Sequence, residues 1–129
     1  MKEKTKTEKH EEAKTEKYAE SFELITKISP NKYEHIFKTK PAIDVFRPKH
    51  KILGTPISSS KIELIAECPT FETPGELSVK LNDAQYFHLN TKEYNPRNLK
   101  KQFEKLSKGI ESACKSKDGL YLPRAKRNN

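Results

Sequence analysis

The chain has 129 residues, of which 34% are charged and 33% hydrophobic, and it contains no tryptophan. This length favours one domain of about 100 residues with polar flanks, because so short a chain cannot bury two separate cores. No stretch approaches the roughly 18 apolar residues that a membrane span needs, and the N-terminus lacks the apolar run of a secretory signal. The sequence therefore predicts a protein that does not associate with membranes and lies inside the cell, in the cytoplasm or the nucleus.

The positive charge is concentrated in two parts of the chain. The formal net charge is +8. Residues 27–61 carry +6 and residues 94–129 carry +7, whereas residues 62–93 carry −4 and residues 1–20 are neutral overall. This segregation favours a positive surface that meets phosphate or an acidic protein, although lysine-rich surfaces also serve solubility alone.

The N-terminal part divides into a charged segment and an apolar one. Residues 1–17 are almost entirely Lys, Glu and Thr and have little to bury, so we expect a disordered tail or a solvated helix there. Residues 18–28 repeat apolar side chains at helical spacing, which favours a helix, although some also fit one face of a strand. The helical set is Tyr18, Phe22, Ile25 and Ile28, and the strand set is Phe22, Leu24 and Ile28.

The middle of the chain shows strand patterns. Apolar and polar residues alternate in segments 33–38, 43–46, 62–68 and 77–81. Pro41 and Pro48 bound the second segment, which predicts an edge strand or a bent one, because proline cannot donate to a sheet ladder. The last two segments flank a turn and are expected to form an antiparallel hairpin. Residues 83–89 fit either a short helix or a strand, and the strand is favoured.

The C-terminal third predicts a long amphipathic helix from Pro96 to Ser116. Asn95 is a suitable cap, Pro96 fits the first helical position, and Asp118 with Gly119 can end the helix. Its apolar positions fall within an arc of roughly 100°, and basic positions occupy the opposite side. The apolar set is Leu99, Phe103, Leu106, Ile110, Ala113 and Cys114. Beyond the helix, Leu120 and Leu122 are expected to return to the core.

These elements predict an α+β fold, in which a small antiparallel sheet of four or five strands packs against one long C-terminal amphipathic helix, with charged tails. The domain is expected to span residues 18–122, preceded by the tail 1–17 and followed by a basic tail 123–129.

Catalytic and metal-binding motifs are missing from the sequence. The four glycines are too dispersed for a phosphate-cradling loop, and no HExxH, GxSxG, CxxC or HxxxH spacing occurs. Cys68 and Cys114 are expected to be reduced, buried thiols, and His88 a structural histidine in an apolar run. We therefore expect a protein that is not an enzyme and uses no metal or cofactor.

The positive segments instead favour non-enzymatic binding of nucleic acid, either DNA or RNA, mainly through phosphates. The candidate residues are Arg97, Lys101, Lys105, Lys108 and Lys115 on the helix, Lys38, Lys40, Arg47, Lys49 and Lys51 in the strand–loop region, and Arg124, Lys126 and Arg127 in the tail. Aromatic residues interleave with the strand–loop cations and would suit stacking on unpaired bases, although a strand also buries such residues in a core. They are Tyr33, His35, Phe37, Phe46 and His50.

The alternative function is that of an adaptor or assembly subunit. Its basic helix face would dock on an acidic protein partner, and the acidic strand around Glu63 and Glu67 would form a second docking surface. The order of several strands followed by a helix does not choose between the two functions.

Overall fold

A computed structural model describes residues 12–18, 22–49, 52–53, 55–71, 75–89 and 96–123. The described chain has an α+β fold, in which one helix packs against an antiparallel sheet. The strands are β1 (Glu12–Tyr18), β2 (Phe22–Ser29), β3 (Lys32–Phe46), β4 (Pro48–Lys49), β5 (Ile52–Leu53), β6 (Ile57–Glu67), β7 (Glu76–Leu81), β8 (Gln85–His88) and β9 (Leu120–Tyr121). The helix α1 spans Pro96–Ser116, as predicted. In the part of the chain that the structure describes, no helix is long and apolar enough to cross a membrane.

The main sheet has seven strands in the described residues. Its order is β1-β2-β3-β6-β7-β8, and β9 pairs in parallel with the end of β3. The prediction of four or five strands was therefore too low. Two of the additional strands come from the N-terminal segments, and β9 is the return to the core that the apolar pattern of Leu120 and Leu122 indicates.

The helix predicted for residues 18–28 was wrong, because Phe22–Ser29 is a strand. Its even positions, Phe22 and Leu24, are buried toward α1, whereas Ile25 pairs with Ile36 on the opposite face of the sheet. Glu12–Tyr18, within the segment expected to be a disordered or helical tail, pairs antiparallel with β2 along its whole length. Residues 1–11 lie outside the described part of the chain.

The segments 33–38 and 43–46, predicted as two strands, form one strand, β3. The pairing of β3 with β6 shifts in register between Lys38 and Ile43, and Pro41 lies in this irregular part. The proline therefore takes no place in the regular ladder, where its missing N–H would matter. The predicted hairpin of β6 and β7 is confirmed, with Leu64 opposite Val79, and the favoured strand at residues 83–89 is confirmed as β8.

Alternation divides the sheet into two faces, which we call the helix side and the open face. The helix side meets the apolar stripe of α1, and its buried cluster includes Phe37, Leu64 and Val79 together with Leu99 and Phe103. The open face is the opposite one. Ile36 and Ile65 lie there outside this cluster, among charged side chains of neighbouring strands. The core is thus a single layer between the sheet and one helix.

Candidate nucleic-acid interface

The helix α1 is held in one orientation by its buried stripe and by a polar contact at its middle. Leu99, Phe103 and Ile110 are buried as predicted, whereas Leu106 is only partly buried. Ser107 is also buried, and its Oγ lies 2.6 Å from Nδ1 of His35 on β3. A helix fixed in this way presents its remaining side chains to solvent in a defined pattern.

The exposed side of α1 carries six cations, which we call the basic face. They are Arg97, Lys100, Lys101, Lys105, Lys108 and Lys115, and all are exposed. At 1.5 Å per residue, the distance along the axis from Arg97 to Lys108 is about 16 Å. Five of the six were predicted from the helical angle. Lys100 was missed, because it lies at the border of the predicted basic arc, beside the buried Leu99.

Carboxylates neutralise little of this face. Lys115 pairs with Glu111 one turn earlier, with Nζ and Oε2 3.5 Å apart. Glu104 is exposed within the face. Among the described residues, no ion pair joins the other five cations to a carboxylate. Charges that are exposed and unpaired are available to an anionic partner at little cost in desolvation.

The strand–loop cations do not join the basic face. Lys38 pairs opposite Lys61 on the open face, which is separated from α1 by the sheet. Lys40 is exposed further along β3, and the guanidinium of Arg47 lies 4.4 Å from the centre of the Phe87 ring. The side chain of Lys49, together with Lys51, Arg124, Lys126 and Arg127, lies outside the described residues. The predicted cations therefore form at least two separate groups.

Most of the aromatic residues predicted to stack on bases lie in the core or pack against the helix. Phe37 is fully buried, and the rings of Tyr33 and His35 lie 5.8 and 4.7 Å from that of Phe103. Burial raises the pKa of Tyr33, and the neighbouring thiol of Cys68 adds to the shift. These rings hold the helix and are not free to receive a base. His50 lies outside the described residues.

Phe46 is the exception among the described members of that set. Its ring stacks on Tyr121 of β9, with centroids 4.6 Å apart and planes only 7° apart. Tyr121 is 61% exposed. Tyr121 was not predicted as a site residue, because only the parallel pairing of β3 with β9 brings the two rings together.

The acidic docking surface of the alternative function is reduced by the fold. Glu63 is only 8% exposed and lies 3.9 Å from both Lys61 and Lys80. Glu67 is exposed, as expected. His88, predicted to be a structural histidine, is instead exposed and pairs with Glu76 at 2.5 Å. Acidic and basic side chains therefore alternate on the open face.

The two cysteines differ in burial. Cys114 is fully buried, and its burial raises the thiol pKa to about 11, so the reactive thiolate is disfavoured. Cys68 is partly buried and not disulfide-bonded. Within the described ranges, no group of three or more His, Cys, Asp or Glu side chains is placed to hold a metal ion.

Comparison with known proteins gives no match to this chain, whether with protein-family models, with curated proteins or with solved structures.

Proposed function

We propose that this chain is a nucleic-acid-binding protein and that the basic face of α1 is its main contact with phosphates. The observation that carries the proposal is the row of exposed cations from Arg97 to Lys108, which no carboxylate pairs with among the described residues. The fold supports it, because the opposite side of the same helix is buried and fixes the direction of these side chains.

Binding would be driven by the release of counterions. Each phosphate that a Lys or Arg neutralises frees condensed cations from the nucleic acid, so affinity falls steeply as salt rises. Phosphate contacts hold a protein on the polymer but carry no base information. The basic face alone should therefore bind DNA and RNA of any sequence.

The test compares two triple variants of equal charge. In the first, Lys101, Lys105 and Lys108 of the basic face are replaced by Gln. In the control, Lys27, Lys32 and Lys38 of the sheet are replaced by Gln, so that the net charge falls by the same amount. Fluorescence anisotropy with a labelled DNA duplex of about 20 base pairs measures the dissociation constant over a series of salt concentrations.

We expect the helix variant to bind all duplex sequences more weakly. Its plot of log K against log salt should become shallower by about 0.9 for each phosphate that the variant no longer neutralises. The control should keep the slope of the unmodified protein. Equal weakening in the two variants would show that total charge, and not the basic face, determines binding. If the unmodified protein shows no salt-dependent binding of duplex or single strands, the proposal is overturned and the acidic-partner alternative takes its place.

A further inference from the structure

The stacked rings of Phe46 and Tyr121 stand beside a groove at the end of α1. Asp44 and Phe46 alternate along β3 with the buried Ile43 and Val45, so they face away from the core. Tyr121 follows the buried Leu120 in the same way. In the described sheet, β9 pairs only with β3, which leaves Tyr121 as the outer ring of the stack. Its ring is available as a platform at the edge of the sheet.

The groove encloses a cavity of about 220 Å³ that is open to solvent. Its second wall is the turn that links α1 to β9, where Lys117, Asp118 and Gly119 line the cavity. Gly119 has a φ of +101°, and a Cβ at this position would lie 3.4 Å from the Phe46 ring. A glycine here allows both the sharp turn and the close approach to the stacked rings.

The charges in the groove differ from those of the basic face. Asp44 and Asp118 are both exposed, and no ion pair engages either carboxylate among the described residues. Lys117 donates a hydrogen bond from Nζ to Thr39. Two carboxylates repel a phosphate, but they accept hydrogen bonds from N–H groups. The groove therefore suits a flat, uncharged group with N–H donors at its edge.

We infer that this groove is a subsite for one unpaired base, which stacks on Tyr121 and donates hydrogen bonds to Asp44 or Asp118. Among the bases, guanine presents two adjacent N–H donors on its Watson–Crick edge, which a carboxylate can accept together. Stacking on aromatic rings with hydrogen bonding at that edge is the usual way in which proteins read single strands. The inference rests on the proposed function and adds to it a contact with one base of single-stranded DNA or RNA.

The first test removes the platform. Tyr121→Ala is compared with Tyr121→Phe, which keeps the ring, and with Tyr86→Ala, which removes a tyrosine that is 50% exposed on β8. The probes are a labelled dT oligonucleotide of about 12 residues, the same oligonucleotide with one central dG, and a duplex of the same length.

Tyr121→Ala should weaken single-strand binding by about 5-fold or more, because the base no longer has a ring on which to stack. The dependence on salt should keep its slope, since the variant neutralises the same phosphates. The Phe variant and Tyr86→Ala should bind like the unmodified protein, and duplex binding should be the same in all variants. Equal single-strand affinity of Tyr121→Ala and the unmodified protein would overturn the subsite. If the unmodified protein binds neither the single strands nor the duplex in a salt-dependent way, the proposed function is overturned instead.

The second test concerns the carboxylates. The unmodified protein should prefer the dG-containing strand over the dT strand by about 5-fold, which is the low end of the discrimination that a bidentate contact provides. The double variant Asp44→Asn, Asp118→Asn should lose this preference and still bind the dT strand. If the preference persists in the double variant, or if the unmodified protein shows none, the carboxylates do not read the base and the assignment to guanine is rejected.

Discussion

The two faces of the sheet differ in the side chains that the alternating strand pattern places on them. On the helix side, most of the alternate residues are apolar and belong to the core that includes the stripe of α1, as Leu64 and Val79 do. On the open face, the intervening positions carry cross-strand charges such as Glu63 between Lys61 and Lys80. Substitutions on the helix side should therefore lower the stability of the fold more than substitutions on the open face.

The proposed phosphate contacts and the proposed base subsite also lie in different parts of the molecule. The basic face belongs to α1, and the opposite side of this helix is buried against the sheet. The groove beside Tyr121 lies at the edge of the sheet, where α1 ends and β9 begins. Phosphate binding and base binding are thus assigned to different elements, and single variants can change one without the other.

The largest effect is expected for Phe103→Ala on the helix side. Phe103 is buried in the core and contacts both Tyr33 and His35. Removing its ring should lower the free energy of unfolding by about 3 to 5 kcal/mol, because a cavity is left in a packed core. Urea denaturation measures this change. A decrease below about 1 kcal/mol would show that α1 does not pack on the sheet as described.

A smaller effect is expected for Ile65→Ala on the open face. Ile65 is buried among neighbouring strands, but it lies outside the main cluster and no described helix covers it. The decrease should be about 2 kcal/mol, at the low end for an isoleucine truncation, because the site can relax toward solvent. Urea denaturation beside Phe103→Ala gives the ranking directly. If Ile65→Ala proves as costly as Phe103→Ala, the contrast between the two faces fails.

A third substitution, Ser107→Ala, tests the polar contact within the helix side. It removes the hydroxyl that bonds to His35 Nδ1 and leaves a partly buried ring nitrogen without that partner. The expected decrease in unfolding free energy is about 1 kcal/mol, the usual net value of one hydrogen bond. Ser112→Ala, at an exposed position of the same helix, is the matched control and should be nearly neutral. Equal stability of the two variants would show that the hydrogen bond contributes nothing.

The sequence predicts well those elements in which the apolar residues follow a single spacing, either helical or alternating. The stripe of Leu99, Phe103 and Ile110 fits only a helix, and the alternation in β6 fits only a strand. Residues 18–28 were misassigned because both periods fit them. Tertiary structure determines that this segment is a strand, since Ile25 pairs with Ile36 of β3 on the open face.

Strand β1 shows a different limit. Ala13, Lys14 and Thr15 are exposed, so their side chains give no pattern that marks a strand. The segment is held by backbone pairing to β2, and pairing of this kind depends on a free neighbouring edge. The sequence of residues 12–18 does not indicate that the edge of β2 is free to pair with them.

The candidate site was predictable to the extent that it is local. The basic face follows from helical angles within one segment, whereas the stack of Phe46 on Tyr121 joins residues far apart in the chain. In the same way, the position of Lys38 on the open face depends on which side of the sheet α1 covers. Sequence patterns locate residues within an element and do not show which elements meet.

The smallest effect is expected from the ion pair between Lys61 on β6 and Asp83 in the turn between β7 and β8. Nζ of Lys61 lies 2.7 Å from Oδ1 of Asp83. The hydrogen bond from Lys61 lowers the pKa of Asp83 below its ordinary value of 3.8, and the same bond raises the pKa of Lys61. A lowered carboxyl pKa in the folded state stabilises the protein above the unfolded pKa, and this contribution is lost as pH falls through the folded value. The raised pKa of Lys61 has the opposite pH dependence: its contribution to stability is present at low pH and is lost as pH rises through the pKa of the folded state.

Asp83→Asn tests this linkage, because asparagine tolerates the positive φ of 68° at this position. The difference in unfolding free energy between the parent and the variant should stay level near neutral pH and shrink below about pH 4. Any offset from backbone preference does not change with pH, so the shape of the curve isolates the carboxylate. At about 1 M salt, where the Debye length is about 3 Å, the difference should also shrink, because the pair is exposed. A difference that stays constant from about pH 7 to about pH 2 would show that this pair adds no pH-dependent stability. The charged side chains of the open face would then contribute still less to the free energy of unfolding than we expect.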